Sequence, residues 1–177
     1  LSLKTIPNPV ENIGLFAILE IIALFFLGSA IMRPAGCVIN DILDQKFDKK
    51  VERTKDRPIA SGKISKKAAF IALILLLAAG LVILLQFNHR TILSGFFAVI
   101  LVASYPLMKR VTYYPQLFLG LTFNFGILMG SLAIISDIHI ETLLLYCACI
   151  IWTLIYDTIY AYQDIDDDLK IGVKSTA

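Results

Sequence analysis

Three aspartates and one asparagine lie close together between residues 40 and 48. Asp41, Asp44 and Asp48 are spaced i, i+3 and i+7, and Asn40, Asp44 and Asp48 are spaced i, i+4 and i+8. Either set lies along one face of an α-helix. Carboxylates stacked this closely repel one another unless a divalent cation lies between them. The spacing therefore favours a metal site, with a solvated acidic helix end as the alternative.

A second acidic segment lies near the end of the sequence. Asp157, Asp164 and Asp168 are spaced i, i+7 and i+11, so they share one face of a continuing helix. Asp157 lies inside an apolar stretch, where an ionisable side chain is functional by default. Asp166 and Asp167 turn away from this face and are interpreted as solvated. Two such acidic ladders favour metal binding more strongly than one.

The chemistry of these ligands indicates which ion they bind. Oxygen donors without His or Cys suit Mg²⁺ rather than Zn²⁺, and Mg²⁺ usually shares a phosphate-bearing ligand. Two facing ladders therefore predict a bound diphosphate between them. The net charge of the carboxylates, the diphosphate and two Mg²⁺ ions is still negative. Basic side chains must therefore help to bind the diphosphate.

Four basic residues are candidates for binding the diphosphate. They are Arg53, Arg57, Lys109 and Lys174. Lys109 is the preferred candidate because it ends a predicted helix beside Tyr105. The alternative role for most of them is surface charge that determines membrane topology.

The composition shows what kind of fold must position these residues. Hydrophobic residues make up 58% of the 177 residues and charged residues only 17%, against about 25% charged in a typical soluble domain. Residues 68–89, 91–108 and 111–136 contain no Asp, Glu, Lys or Arg. A soluble globule of this size cannot bury so much apolar surface, so an integral membrane protein is predicted.

Five apolar stretches are long enough to cross a lipid bilayer, which takes about 20 residues. They cover residues 12–38, 67–88, 90–108, 115–136 and 141–163. Each is predicted to be helical, because unpaired backbone groups cannot lie in lipid. The sequence therefore predicts an all-α, polytopic transmembrane helical bundle with one membrane domain over residues 1–177.

The connections between these stretches carry unequal positive charge. Three segments are basic: residues 39–67 hold nine Lys and Arg, the third connection holds Lys109 and Arg110, and the C-terminal segment holds Lys170 and Lys174. The second connection holds only Arg90, and the fourth holds no Lys or Arg. The positive-inside rule places the first, third and last on the cytoplasmic or matrix side. Five spans place these three segments on one side by parity, so the two acidic ladders share a face of the membrane.

Arg33 is an unusual charge near the end of the first apolar stretch. It lies seven residues before Asn40 and on the same helical face. Because a guanidinium stays charged, it needs an anion or water there. The separation of about 10 Å from the first ladder leaves room for a small planar ligand. Arg33 is therefore a candidate receptor for an aromatic carboxylate, and snorkelling to the interface is the alternative.

Four segments resemble the UbiA superfamily of intramembrane prenyltransferases. The first is GCVINDILDQKFDKKVERTKDRPIASG, with its NDxxDxxxD and R-P-x-x-S-G patterns. YPLMKR, YPQLFLGLTFNFG and YDTIYAYQDIDDDLKIGVKST follow in the order typical of the superfamily. The resemblance covers residues 12–177 and is strongest to the branch that prenylates 4-hydroxybenzoate in ubiquinone biosynthesis, because YDT and YA precede the last carboxylates.

The resemblance implies Mg²⁺-dependent transfer of a polyprenyl group from a prenyl diphosphate to an aromatic acid. The implied Mg²⁺ ligands are Asp44, Asp48, Asp164 and Asp168, with Asn40 and Asp41 assisting. Neutralising the diphosphate lets the allylic C–O bond ionise, and the ring of Tyr105 is the candidate shield for the carbocation. The isoprenoid tail of the donor is expected to stay in lipid.

The resemblance also implies a location and a length. A bacterial or mitochondrial inner membrane is expected, with the motif-bearing connections on the cytoplasmic or matrix side. The superfamily has about nine helices, and the five spans here correspond to the second through sixth. The chain is therefore expected to be a fragment with about half of that bundle.

Three other functions are alternatives to this interpretation. UbiA-type enzymes of haem, chlorophyll or menaquinone synthesis share the motifs, whereas CDP-alcohol phosphatidyltransferases need a D-G-x-x-A-R pattern that is absent from this sequence. A divalent-cation transporter would carry acids near the bilayer midplane of several helices, but these acids lie at helix ends. No basic stripe with interleaved aromatic residues indicates a nucleic-acid partner.

The first prediction concerns topology. In a background without native cysteines, Lys50→Cys and Arg110→Cys should react with a membrane-impermeant thiol reagent from the same side of sealed vesicles, because five spans place both connections on one face. Labelling of the two positions from opposite faces would separate the two acidic ladders and contradict the predicted site.

Overall fold

A computed structural model describes residues 14–164 and residue 176. The helices are α1 (Leu15–Asp48), α2 (Lys66–Leu84), α3 (His89–Val111), α4 (Pro115–Phe123), α5 (Gly126–Ile135) and α6 (Ile140–Ala161), and a 3₁₀ turn, Tyr162–Asp164, follows α6. Five segments are apolar and long enough to cross a membrane when α4 and α5 are taken together. The predicted all-α bundle with five spans is confirmed.

Helix α1 is longer than a bilayer is thick. Its 34 residues extend about 51 Å at 1.5 Å per residue, whereas the hydrocarbon core is about 30 Å thick. The helix continues ten residues beyond the predicted end of the first span at residue 38. The segment from Asn40 to Asp48 is therefore helical and forms a rigid extension of the membrane span.

Local capping explains where the next helices begin. The Ser65 side chain accepts a hydrogen bond from the Ala68 N–H at 3.2 Å, and Asn88 Oδ1 accepts one from the Thr91 N–H at 3.0 Å. Pro115 opens α4, where a missing N–H costs nothing. The short connection Leu85–Asn88 makes α2 and α3 antiparallel neighbours, and α3 also packs against α1, α4 and α5.

The fourth span is interrupted at Asn124 and Phe125. The Phe125 N–H bonds to the Thr122 carbonyl at 3.4 Å instead of to the Leu121 carbonyl that a continuous α-helix would use. The Tyr146 hydroxyl of α6 donates to the Leu121 carbonyl at 2.6 Å. A side chain of the neighbouring helix thereby satisfies the backbone group that the interruption releases, as an apolar surrounding requires.

A polar seam joins α4 to α6 at the same level. Asn124 Nδ2 lies 2.8 Å from Thr153 Oγ1 and 3.1 Å from the Cys149 carbonyl, both on α6. Thr153 is only 1% exposed. A Cβ atom at Gly120 would lie 3.0 Å from the Ile150 carbonyl oxygen, so a larger residue would require α6 to shift by a few tenths of an ångström.

The connections lie at opposite ends of the bundle. Asn88 Nδ2, between α2 and α3, donates to the Leu132 carbonyl at 2.8 Å, and Arg90 donates to the Ser136 carbonyl. These contacts bring the second and fourth connections together at one end. The C-terminal ends of α1 and α6 lie at the other end, in agreement with the parity argument.

The second prediction tests the seam. Asn124→Leu should lower the free energy of unfolding by about 1 kcal/mol, the order of magnitude measured for hydrogen bonds between transmembrane helices. Thr122→Val is the matched control, because Thr122 Oγ1 bonds only to the Phe118 carbonyl of its own helix. Unfolding in mixed micelles measures both variants, and equal effects would mean that the seam does not stabilise the packing of α4 against α6.

Candidate active site

The first acidic ladder lies on the last two turns of α1, as its spacing predicts. Asp44 and Asp48 are each only 8% exposed, and the Asp41 side chain is half-buried. Burial of carboxylates at the end of an apolar helix is costly unless each has a partner. The electrostatic environment of this ladder is therefore set by the groups packed around it.

The connection from residue 49 to residue 65 folds back onto this end of α1. Val51, Ile59 and Ala60 are buried and anchor it. Gln45 Nε2 donates to the Ile59 carbonyl at 2.9 Å, and Thr54 Oγ1 donates to the Asp48 carbonyl at 3.1 Å. These two hydrogen bonds hold Thr54 and Ile59 of the connection against α1. The most highly charged connection therefore has a defined structure.

The R-P-x-x-S-G motif forms a compact turn within this connection. The N–H and hydroxyl of Ser61 donate to the Arg57 carbonyl at 2.8 Å and 2.9 Å. The Ile64 N–H bonds to the Pro58 carbonyl at 2.9 Å, and Gly62 adopts a φ of +81°, which favours glycine. Ser61 and Gly62 therefore have structural roles that hold the backbone of Arg57 in place.

The side chain of Arg57 reaches the acidic ladder. Its Nη1 atom lies 3.0 Å from Asp41 Oδ1, 3.2 Å from Asp48 Oδ2 and 3.5 Å from Asp48 Oδ1. One guanidinium nitrogen thus bridges two carboxylates that are seven residues apart on α1. The sequence predicts Arg57 as a candidate for binding a diphosphate, and in the structure its side chain pairs with two of the predicted acidic residues.

Tyr105 of α3 lies near one aspartate of each acidic segment. Its hydroxyl interacts electrostatically with the carboxylates of Asp157 on α6 and Asp44 on α1. Asp44 and Asp157 both have further interactions, so neither is an isolated charge. Helices α1, α3 and α6 therefore bring one residue each from three of the predicted motifs to the same place.

A second polar cluster lies close to this end of α6, and the sequence did not predict it. Gln116 is buried near the start of α4, and its Oε1 accepts a hydrogen bond from the Thr176 N–H at 3.2 Å. The hydroxyls of Thr176 and Thr158 lie 2.6 Å apart. Residue 176 thus returns to α4 and α6 near Asp157. The sequence feature that could have indicated this cluster is a glutamine directly after Pro115 in an apolar stretch.

The remaining predicted site residues fall into two groups. Arg33 and Arg53 are exposed, and Asn40 is half-buried on α1. The backbones of Lys109 and Asp164 lie at the end of α3 and in the 3₁₀ turn. Asp168 and Lys174 lie outside the described residues, so the second ladder is represented here by Asp157 and the backbone of Asp164.

The donor chemistry of the described residues is consistent with Mg²⁺ but is incomplete without the second ladder. Among the side chains that the structure describes, no group of three or more His, Cys, Asp and Glu is arranged to hold a metal ion. Buried carboxylates such as Asp44 and Asp48 are hard oxygen donors of the kind that Mg²⁺ prefers. The predicted ligands from the α6 side, Asp164 and Asp168, have side chains outside the part of the chain that the structure describes.

Comparison with known proteins places this arrangement in a family. Curated 4-hydroxybenzoate polyprenyltransferases of mitochondria are similar over most of the chain: that of Drosophila melanogaster is 51% identical over 165 residues, 93% of this chain and 42% of the relative. That of Caenorhabditis elegans is 53% identical over 88% of this chain and 44% of the relative, and the human protein is 50% identical over 93% and 44%. The chain spans less than half the length of these relatives.

Solved structures share the fold. The apo structure of a UbiA homolog from Aeropyrum pernix K1 superposes with a TM-score of 0.79 at 27% identity, covering 89% of this chain and 60% of that chain. A UbiA homolog from Archaeoglobus fulgidus bound to DMAPP and Mg²⁺ superposes with a TM-score of 0.67 at 19% identity, covering 96% and 59%. The UbiA prenyltransferase family matches residues 12–177. The chain therefore belongs to the UbiA prenyltransferase family.

Proposed function

We propose that the full-length protein transfers a polyprenyl group from a polyprenyl diphosphate to 4-hydroxybenzoate in ubiquinone biosynthesis. The observation that carries this proposal is the burial of two carboxylates, Asp44 and Asp48, where the long apolar helix α1 ends. Two buried carboxylates suit a divalent cation, and such a cation can bind the diphosphate of an allylic donor. The names of the curated relatives support the same substrates.

The two acidic ladders are proposed to hold the cation that binds the donor head group. Its ligands are Asp44, Asp48, Asp164 and Asp168, with Asn40 and Asp41 assisting. A bound Mg²⁺ would supply positive charge to the departing diphosphate. Arg53, Lys109 and Lys174 are proposed to bind the outer phosphate oxygens, because a net-negative cluster of carboxylates would otherwise repel the donor.

Transfer then requires one bond to break and one to form. The allylic C–O bond breaks heterolytically, and its electron pair leaves with the diphosphate. The face of the Tyr105 ring stabilises the allylic cation electrostatically and shields it from water. The ring carbon beside the acceptor hydroxyl donates an electron pair to form the new C–C bond, and the proton on that carbon is lost.

Arg33 is proposed to orient the acceptor. It lies eleven residues before Asp44 on α1, or about 16 Å along the helix axis. This distance accommodates an aromatic acid whose carboxylate meets the guanidinium and whose ring faces the allylic carbon. A bidentate pair between guanidinium and carboxylate would determine which ring carbon reacts.

The bundle accounts for the location that the donor requires. The five apolar spans place the chain in a bilayer, where a polyprenyl tail is soluble. The charged head would reach the end at which α1 extends beyond the membrane. We propose the mitochondrial inner membrane, with this end on the matrix side, in keeping with the mitochondrial relatives.

The third prediction tests the acidic ladders. In the full-length protein, Asp44→Ala or Asp168→Ala should lower the rate of prenyl transfer on the order of 100-fold or more, because a lost metal ligand raises the barrier by several kcal/mol. Asp166→Ala is the control within the same motif and should have a mild effect. Product formation in membranes at matched expression measures all three, and equal, mild effects of the Asp166 and Asp168 variants would reject the second ladder.

The fourth prediction tests Arg33. Arg33→Leu should raise the apparent KM for the aromatic acid about tenfold or more, because a charged hydrogen-bonding group contributes about 1.5–3 kcal/mol. The apparent KM for the polyprenyl diphosphate should stay nearly unchanged. Arg33→Lys should recover only part of the affinity, since an ammonium cannot replace the guanidinium fork. A normal acceptor KM in Arg33→Leu would mean that Arg33 only extends to the interface.

A further inference from the structure

One nitrogen of Arg57 lies between two of the carboxylates that the proposed function assigns to a divalent cation. Arg57 Nη1 lies within 3.5 Å of three carboxylate oxygens, one on Asp41 and both on Asp48. A carboxylate oxygen that accepts a charged hydrogen bond is less available to a metal ion. Arg57 and a cation therefore compete for Asp48.

The position of Arg57 is set by the turn that carries it. Ser61 bonds to the Arg57 carbonyl, and the Arg57 N–H bonds to the Thr54 carbonyl at 3.0 Å. Thr54 is itself buried and bonded to the Asp48 carbonyl. The guanidinium is thus presented to the ladder by a packed connection, which reduces the entropy cost of holding a long side chain in one place.

Charge balance explains why such a contact is useful. Three carboxylates on one face of α1 repel one another, and Asp44 and Asp48 are largely removed from water. A single positive charge compensates part of this repulsion, whereas a divalent cation compensates more of it. The contact therefore stabilises the ladder in the absence of metal and can be replaced when metal binds.

We propose that Arg57 is a positioning residue, a counter-ion built into the fold that holds Asp41 and Asp48 until a divalent cation displaces it from Asp48. The proposal rests on the proposed function in one respect, since it takes the ladder to bind a divalent cation. It differs from a role in binding the diphosphate, because Arg57 then acts on the metal site before any donor is present.

The fifth prediction follows from this competition and uses Mn²⁺ as the probe, without any diphosphate. In the purified full-length protein, Arg57→Met should tighten Mn²⁺ binding about tenfold, since it removes both a competing donor and a nearby positive charge. Electron paramagnetic resonance of free Mn²⁺ measures the dissociation constant. The melting temperature of Arg57→Met should fall without metal and recover with Mn²⁺ to a greater extent than that of the wild type.

Lys55→Met is the matched control. It removes one positive charge from the same connection, but Lys55 pairs with the exposed Glu52 and not with the ladder. Because an exposed charge is screened, we expect its Mn²⁺ affinity to change less than about twofold. If Lys55→Met and Arg57→Met change the Mn²⁺ affinity equally, Arg57 acts only through its net charge and the proposal is overturned.

The remaining outcomes also decide the question. If Arg57→Met does not fold, Arg57→Lys is the second arm and should tighten Mn²⁺ binding about threefold, because an ammonium bridges the carboxylates less well than a guanidinium. Unchanged or weaker Mn²⁺ binding in the folded variant would overturn the proposal. A second titration is made with inorganic diphosphate present. If Arg57→Met leaves Mn²⁺ binding unchanged without diphosphate and weakens only the additional binding that diphosphate causes, Arg57 is a diphosphate ligand and the proposal is overturned. Absence of Mn²⁺ binding in the wild type would reject the proposed metal site itself.

Discussion

The compensation of clustered negative charge is the constraint on which the rest of this structure depends. Asp41, Asp44 and Asp48 lie on one helical face at the end of an apolar bundle, where carboxylates repel one another and are poorly solvated. The long helix α1 carries them on its last two turns, and the connection after it supplies Arg57 as a partner. This positive charge adds to the buried side chains and hydrogen bonds that hold the connection against the last two turns of α1.

The residues of the first motif, residues 36–62, have different structural roles. Ser61 and Gly62 hold a turn, Thr54 ties that turn to the end of α1, and Arg57 is the charged group that the turn presents. The motif therefore contains several residues whose contacts hold the backbone that carries one charged side chain. Such residues are needed because a loop with many lysines would otherwise be extended by repulsion between like charges.

The sequence predicts much of the fold and about half of the candidate site. Apolar stretches of membrane-spanning length and the i, i+4 spacing of acids are local signals, so the five spans and the face of the ladder on α1 follow directly from them. The interruption at Asn124 was not predicted, because its stability depends on Tyr146 and Thr153 of another helix. The pairing of Arg57 likewise depends on how a connection folds back over nine to sixteen residues, which spacing alone does not determine.

The polar seam inside the bundle also bears on the site at its end. Thr153 bonds to Asn124 of α4, and Asp157 lies one turn further along the same face of α6. The close approach at Gly120 limits how α6 can rotate or slide against α4. Because Asp157 interacts with Tyr105 of α3, the height and rotation of α6 decide whether the second acidic segment faces the first. A hydrogen bond in the apolar interior thus sets the geometry of charged groups about one helical turn away.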